Sequence, residues 1–156
     1  MKKKSILIAD DSQKLLSALQ LQLQAYGYDV TSCTDSYMAL AQAQRQRPDV
    51  MVLDIRMPAG DGFSVMERMS KLPELRGIPI IYITGERSSE LDLKVEQLGA
   101  FGLIHKPISL SALLKLIEAA TGSASRETEA DSGGSELPVF DVSAEADAAA
   151  FMRSTL

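Results

Sequence analysis

The sequence predicts an α/β protein of five parallel strands and five helices, followed by a flexible C-terminal tail. Short apolar runs alternate with helical patterns over the first 121 residues, as expected of a repeated βα unit. Several of these runs are continuous stretches of Ile, Val and Leu, as in strands that are buried on both faces. After residue 121 the composition shifts to Ser, Gly and acidic residues, which is typical of a linker.

The first half of the chain supplies three strands and three helices. In the first helix Leu16, Leu19 and Leu23 fall on one face, and Gly27 can end this helix in the left-handed conformation. The predicted elements are, in order, a strand at 5–9, a helix ending near 26–27, a strand at 28–33, a helix at 36–44, a strand at 49–53 that leads into Asp54, and a helix at about 62–70.

The second half continues the same alternation. Pro79 lies near the start of the fourth strand, where a residue without an N–H is tolerated. Ser109 is a suitable N-cap for the last helix. The predicted elements are a strand at 78–83, a helix that turns Leu91, Val95 and Leu98 inward and stops at Gly99, a strand at 101–105, and a helix with Leu110, Leu113, Leu114 and Ile117 at helical spacing.

Polar residues follow four of the predicted strands. Asp10 and Asp11 end the first strand, Asp54 the third, Thr84 the fourth and Lys106 the fifth. Parallel strands end at one edge of their sheet, so these side chains are expected to share a site. Clustered carboxylates repel unless a cation lies between them, and an all-oxygen ligand set favours Mg²⁺. The hydroxyl and the ammonium can each bind a phosphoryl oxygen. This pattern predicts a site that transfers a phosphoryl group to Asp54.

The segments that carry these residues resemble the receiver domain of two-component response regulators. The resemblance covers about residues 4–121, with the motifs in the family's order and approximate spacing. It implies a doubly wound, flavodoxin-like (βα)5 fold with strand order 2-1-3-4-5, the order of the chemotaxis receiver, which is carried over here with the resemblance. The matching segments are 8–12, 52–58, 61–62, 83–85 and 105–107.

The resemblance also implies roles for the acidic residues. Asp54 would be the phosphoacceptor that attacks the phosphorus of a phosphohistidine. Asp10, Asp11 and Asp54, with the backbone carbonyl of Arg56, would hold Mg²⁺. The expected partners are therefore a sensor histidine kinase or a histidine phosphotransfer protein, and a downstream protein that reads the phosphorylated state.

Other site positions are assigned in the same way. Thr84 and Lys106 would each bind a phosphoryl oxygen, Gly85 would leave access to Asp54 open, and the Lys106–Pro107 bond, if cis, would aim the lysine inward. Many receivers carry an aromatic residue three positions before the lysine, whereas this chain has Leu103. We therefore expect signalling to run mainly through the loop after Thr84 and the face formed by the fourth helix, fifth strand and fifth helix.

Two further side chains are expected to modulate the site. Arg56 and Glu86 each lie two residues after a site residue, Asp54 and Thr84 respectively. By resemblance, these positions flank the path of the water that hydrolyses the acyl phosphate. An Arg–Glu pair there could restrict that water, which predicts a long-lived phosphoryl group.

Composition narrows the functional class. The net charge of −5 and the lack of a basic stripe argue against nucleic-acid binding through these residues. The apolar run after Lys2–Lys4 is too short for an export signal, no segment is long enough to span a membrane, and the single cysteine, Cys33, cannot form an internal disulfide. A cytoplasmic protein is expected. Two copies could pair through the face of the fourth and fifth helices.

Alternative interpretations stay open for single residues and for the function of the protein. Each acid could be a simple helix cap, Thr84 a strand-end hydroxyl, and Lys106 a solvated charge, although chance is a poor explanation for four strand ends together. A degenerate receiver that binds partners without phosphorylation is the main alternative. A haloacid-dehalogenase-type phosphatase is disfavoured, because that family has an acid where this chain has Arg56. We expect no enzymatic activity beyond self-catalysed phosphorylation and dephosphorylation.

The sequence predicts three regions: a receiver domain at 1–121, a flexible linker at 122–136 and a tail at 137–156. The tail is Ala-rich and could form a short amphipathic helix. A frayed end is favoured over a partner-binding or self-docking segment, and the tail could also be the start of a truncated further domain.

Overall fold

The structure is a computed structural model that describes residues 3–58, 60–122 and 139–140. The strands form one sheet in the order β2-β1-β3-β4-β5-β6, and the first five give the predicted doubly wound order 2-1-3-4-5. The strands are β1 (Ser5–Ala9), β2 (Asp29–Cys33), β3 (Val50–Asp54), β4 (Ile80–Thr84), β5 (Gly102–His105) and β6 (Val139–Phe140). The helices are α1 (Gln13–Ala25), α2 (Ser36–Gln46), α3 (Gly62–Ser70), α4 (Ser89–Gln97) and α5 (Leu110–Gly122), with a short 3₁₀ turn at Pro73–Leu75.

The chain divides into two compact units, Met1–Ile80 and Ile81–Leu156. In the first unit β1 pairs in parallel with both β2 and β3. All five residues of β3 are buried, which is expected of a parallel strand covered on both faces. Helix α1 buries Leu16, Leu19 and Leu23 as predicted, and Gly27 takes a positive φ of 92° just beyond the end of this helix.

In the second unit β4 and β5 pair in parallel, with Thr84 opposite His105. Every residue of both strands is buried. The Ser109 hydroxyl accepts a hydrogen bond from the Ala112 N–H, confirming the predicted cap of α5. Within the described residues, no helix is both long enough and apolar enough to cross a bilayer.

Three details differ from the sequence prediction. Leu98 was expected to point inward, but α4 ends at Gln97 and Leu98 is 43% exposed. Strand β4 begins at Ile80 rather than at residue 78, because Pro79 has no N–H for the sheet; its carbonyl instead accepts the Met51 N–H.

The third difference is in the tail. Val139 and Phe140 form a short strand beside β5 rather than part of a helix. Gly122, the first residue of the predicted linker, is the last residue of α5; the remainder of the linker and of the tail lies outside the described residues.

Candidate functional site

The ends of β1 and β3 build an acidic cluster. One carboxylate oxygen from each of Asp10, Asp11 and Asp54 lies within 4.8 Å of the others. Asp10 and Asp54 are buried, at 0% and 4% exposure, whereas Asp11 is exposed. The structure thus brings together the three acids that the sequence predicted as a metal site.

Backbone N–H groups orient two of these carboxylates. Asp10 Oδ1 accepts a hydrogen bond from the Ser12 N–H at 2.8 Å, and Asp54 Oδ1 accepts one from the Arg56 N–H at 3.1 Å. Ser12 is also the N-cap of α1, where its hydroxyl accepts the Leu15 N–H. The turn after each strand therefore fixes the direction of the acid that ends it, since a bond from residue i+2 holds the side chain against its own backbone.

The donor set suits a hard divalent cation. All three side chains offer oxygen, and no His or Cys belongs to the group. Two buried carboxylates beside a third acid would repel one another strongly, and a cation offsets that repulsion. The three residues therefore fit Mg²⁺, as the strand-end pattern predicted. The family resemblance implies the Arg56 carbonyl as a fourth protein ligand, and that assignment stays a prediction.

The second unit carries the Thr84 hydroxyl and the Lys106 ammonium group. Thr84 is fully buried, and its Oγ1 accepts a hydrogen bond from the Glu86 N–H at 3.0 Å. The Lys106 N–H donates to the Thr84 carbonyl at 2.7 Å, so the ends of β4 and β5 are held side by side. The Lys106–Pro107 peptide is cis.

Gly85 lies beside the side chain of Lys106. A Cβ added at this position would meet Lys106 Cδ at 4.0 Å, which is ordinary contact distance. The missing side chain therefore leaves space next to the lysine, consistent with the access role predicted for Gly85. Gly60, in the loop after β3, is more constrained: its φ is +109° and an added Cβ would lie 2.8 Å from Ser64 Oγ.

Leu103, at the predicted switch position, is fully buried in β5. Its neighbour in register on β4 is Tyr82, which is also fully buried. Residues opposite each other on parallel strands point to the same face, so an aromatic ring does lie next to the switch position, but on the adjacent strand. Tyr82 belongs to a different strand, so the spacing of residues within β5 does not reveal this neighbour.

Two contacts of the segment after Thr84, one with His105 of β5 and one with Lys106 just beyond it, were not predicted. Arg87 Nη2 donates to the Lys106 carbonyl at 3.5 Å, and His105 Nε2 lies 3.3 Å from Asp92 Oδ1 of α4. His105 is 3% exposed, so it is a packed histidine. Nothing in the sequence distinguishes Arg87 or Asp92 from other charged residues of an exposed helix and loop, so only the fold reveals them.

A family model for the response regulator receiver domain matches residues 6–118. The chain belongs to the response regulator receiver family. The match covers β1 through most of α5, so all of the predicted site residues of this receiver lie inside it. The tail that follows α5 lies outside it.

Relatives and solved structures agree with this assignment. The receiver is 32% identical over 114 residues to protein PilH of Pseudomonas aeruginosa, covering 73% of this chain and 94% of PilH. It is 33% identical over 138 residues to the probable transcriptional regulator ycf27 of Porphyridium aerugineum, covering 88% of this chain. The chemotaxis response regulator CheY4 of Vibrio cholerae superposes with a TM-score of 0.71 at 31% identity, covering 76% of this chain and 99% of CheY4.

Several relatives are much longer than the matched region. The chain spans 55% of the ycf27 protein and 23% of the response regulator PleD of Caulobacter vibrioides.

Proposed function

We propose that this receiver accepts a phosphoryl group on Asp54 from a histidine kinase or a histidine phosphotransfer protein, and that phosphorylation switches a protein-binding surface. The observation that carries this proposal is the cluster of Asp10, Asp11 and Asp54 at the ends of two parallel strands, with carboxylate oxygens within 4.8 Å of one another. A cytoplasmic location is part of the proposal and is carried over from the family.

Asp54 is the acid best suited to act as nucleophile. It is 4% exposed and one oxygen is oriented by the Arg56 N–H, so its carboxylate has a fixed direction. In the transfer, an Asp54 oxygen forms a bond to phosphorus while the bond from phosphorus to the histidine nitrogen breaks. The electron pair of that bond returns to the imidazole, and the product on Asp54 is an acyl phosphate.

Asp10 and Asp11, with Asp54 and the Arg56 carbonyl, are proposed to hold Mg²⁺. When bound, the ion neutralises charge that develops on the phosphoryl oxygens. Asp10 is fully buried and held by the Ser12 N–H, whereas Asp11 is exposed. The buried acid therefore supplies a fixed ligand, and the exposed acid can adjust to an incoming ion.

Thr84 and Lys106 are proposed to bind the transferred group. This assignment is carried over from the family, in which the residues at the ends of the fourth and fifth strands bind the phosphoryl oxygens. Thr84 Oγ1 accepts the Glu86 N–H, but a hydroxyl that accepts can still donate its own hydrogen. Thr84 can thus donate to a phosphoryl oxygen without losing its bond to Glu86.

Phosphorylation is proposed to act through these two donors. It adds a charge of about −1.5 to −2 and strong acceptor oxygens. Contacts to Thr84 and Lys106 that exist only in the phosphorylated form bias the protein towards one of two conformations. A downstream protein that distinguishes the two conformations reads the signal.

The main alternative is a receiver that binds its partner without phosphorylation. Leu103, in place of the usual aromatic residue, is the one feature in its favour. The oriented carboxylates of Asp10 and Asp54 count against it, because a module that needs no phosphorylation gains nothing from three adjacent acids that repel one another.

Intact-mass measurement separates the two proposals. The protein is incubated with Mg²⁺ and acetyl phosphate, as wild type, Asp54→Asn and Asp29→Asn. Asp29 is an exposed acid at the opposite end of its strand and serves as the matched control. We expect a phosphoryl adduct in wild type and Asp29→Asn, no adduct in Asp54→Asn, and none in wild type when a chelator is added first. A folded wild type that gains no adduct with Mg²⁺ present would favour the phosphorylation-independent module.

A further inference from the structure

The outer edge of β5 is covered by a segment from the tail. Val139 and Phe140 form β6, a parallel strand with Leu103 opposite Val139 and Ile104 opposite Phe140. This segment lies beyond residues 6–118, the part matched by the receiver family. An uncovered strand edge presents unpaired N–H and C=O groups to which another chain can add a strand.

We propose that the tail is an intramolecular edge strand that closes β5 to strand addition by other chains, including a second copy of this one. The connection between the two strands is consistent with this. Helix α5 follows β5 and leads back towards the start of that strand, which is where a parallel neighbour must begin. The tail can therefore pair with β5 of its own chain without crossing the sheet.

The sequence around β6 suits a single edge strand. Pro138 directly precedes Val139 and has no N–H, so it cannot donate a further hydrogen bond that would extend the pairing with β5 beyond the start of β6. Glu136 and Asp141 place a charge on each side of the short apolar run, and charges in such positions discourage growth of the sheet by another molecule.

The direction of the β5 amides identifies which bonds hold the tail. The Lys106 N–H donates to Thr84 on the β4 side. Amides alternate along a strand, so the Ile104 N–H also points to β4, whereas the Leu103 N–H and carbonyl point to β6. Given the register of Leu103 with Val139, the Phe140 N–H is the donor to the Leu103 carbonyl, and the Val139 N–H points away from β5.

This assignment gives a matched pair of proline variants in the full-length protein. Phe140→Pro removes the N–H that bonds to β5, whereas Val139→Pro removes one that does not. Amide hydrogen exchange by NMR, without Mg²⁺ or a phosphodonor, should show the Leu103 amide exchanging at least about tenfold faster in Phe140→Pro than in wild type. In Val139→Pro the Leu103 amide should stay as protected as in wild type. The Ile104 amide should stay protected in all three, which reports that the domain is folded.

Equal exchange of the Leu103 amide in wild type and Phe140→Pro would overturn the proposal. Protection that falls on dilution would also overturn it, because the strand would then come from a second copy. The test is independent of phosphorylation, so its failure would leave the proposed phosphoacceptor function intact.

A spin label gives a second measurement, made first on a labelled protein in which both residues of β6 are unchanged. The native cysteine, Cys33, is buried, so Asp141→Cys can be labelled selectively with a nitroxide. The label should broaden the amide signals of Gly102–His105 in dilute solution, and adding Phe140→Pro should restore them. Unbroadened β5 signals in the labelled protein would contradict docking of the tail.

Discussion

His105 Nε2 lies 3.3 Å from Asp92 Oδ1 and joins the last residue of β5 to the first turn of α4. His105 immediately precedes Lys106, the residue proposed to bind a phosphoryl oxygen. The His105 side chain is buried, at 3% exposure, whereas the Asp92 side chain is 41% exposed. It therefore links the end of the strand that carries the lysine to the helix that follows Thr84.

Asp92→Ala should destabilise the protein more than Glu90→Ala. Both acids lie in the first turn of α4, so each variant loses a similar favourable interaction with the helix dipole. Only Asp92 also contacts His105. We expect the free energy of unfolding, measured by urea denaturation, to be lower in Asp92→Ala by up to about 1 kcal/mol, the usual range for a partly exposed pair. Equal losses in the two variants would show that the contact contributes nothing.

Phosphorylation should shift the amide signals of residues 85–100. Two contacts of this segment reach the proposed phosphoryl ligands directly: the Glu86 N–H donates to Thr84 Oγ1, and Arg87 Nη2 donates to the Lys106 carbonyl. A change at either ligand should therefore move the loop and α4. The check is a pair of ¹H–¹⁵N spectra recorded before and after treatment with acetyl phosphate and Mg²⁺, with Asp54→Asn as control. Unmoved signals in this segment of the phosphorylated wild type would refute this route.

Arg56→Ala should shorten the lifetime of the phosphoryl group. The proposed gate is a pair of Arg56 and Glu86, whose positions are implied by the family resemblance to flank the path of the attacking water. Both side chains are exposed, and an exposed pair is worth under about 1 kcal/mol, so the rate of dephosphorylation should rise by no more than about fivefold. The rate is followed by intact mass after removal of the donor. Arg45→Ala, an exposed arginine of α2, is the control; an Arg56→Ala rate equal to that of this control would argue against the gate.

The Cys33 thiol should be unreactive in the folded protein. Burial, with a smaller effect from the negative charge of Asp35, raises the pKa of Cys33 from 9.0 to about 11. At pH 8 the thiolate fraction is then about a hundredfold lower than in the unfolded chain, so alkylation should be at least that much slower than in denaturant. Comparable rates in the two conditions would contradict the burial of this side chain.

The same shift of pKa predicts how stability depends on pH. Between about pH 9 and about pH 11 the folded state keeps the Cys33 proton while the unfolded chain loses it. The folded state binds more protons in this window, so its stability falls as pH rises. The free energy of unfolding of wild type should therefore decrease more steeply from pH 9 to pH 11 than that of Cys33→Ala. Parallel decreases would show that Cys33 does not contribute.

Local patterns predicted most of the fold because the relevant forces act over a few residues. Apolar spacing predicted the buried face of α1, and Gly27 and Ser109 marked helix boundaries by their own backbone and side-chain chemistry. Leu98 was predicted wrongly because it has the spacing of the inward face of α4 but lies just after the helix ends. The helix boundary, rather than the spacing, decides its exposure.

The acidic cluster was predictable for a different reason. Parallel strands gather their C-terminal ends, so the order of strands alone brings Asp10, Asp11 and Asp54 together. Contacts between side chains of different elements follow no such rule. The His105–Asp92 contact depends on how α4 turns against β5, and the pairing of Val139 with Leu103 joins residues far apart in the chain. Neither leaves a signature in the local sequence.

The position of the phosphoryl group in the chain decides whether Asp54 is the phosphoacceptor. The protein is phosphorylated with acetyl phosphate and Mg²⁺ and reduced with borohydride, which converts an aspartyl phosphate to homoserine, and its peptides are then sequenced by mass spectrometry. We predict homoserine at position 54 and unmodified aspartate at positions 10 and 11. Homoserine at position 10 or 11, or a borohydride-resistant phosphate on a serine or threonine, would contradict the assignment of Asp54 as the phosphoacceptor.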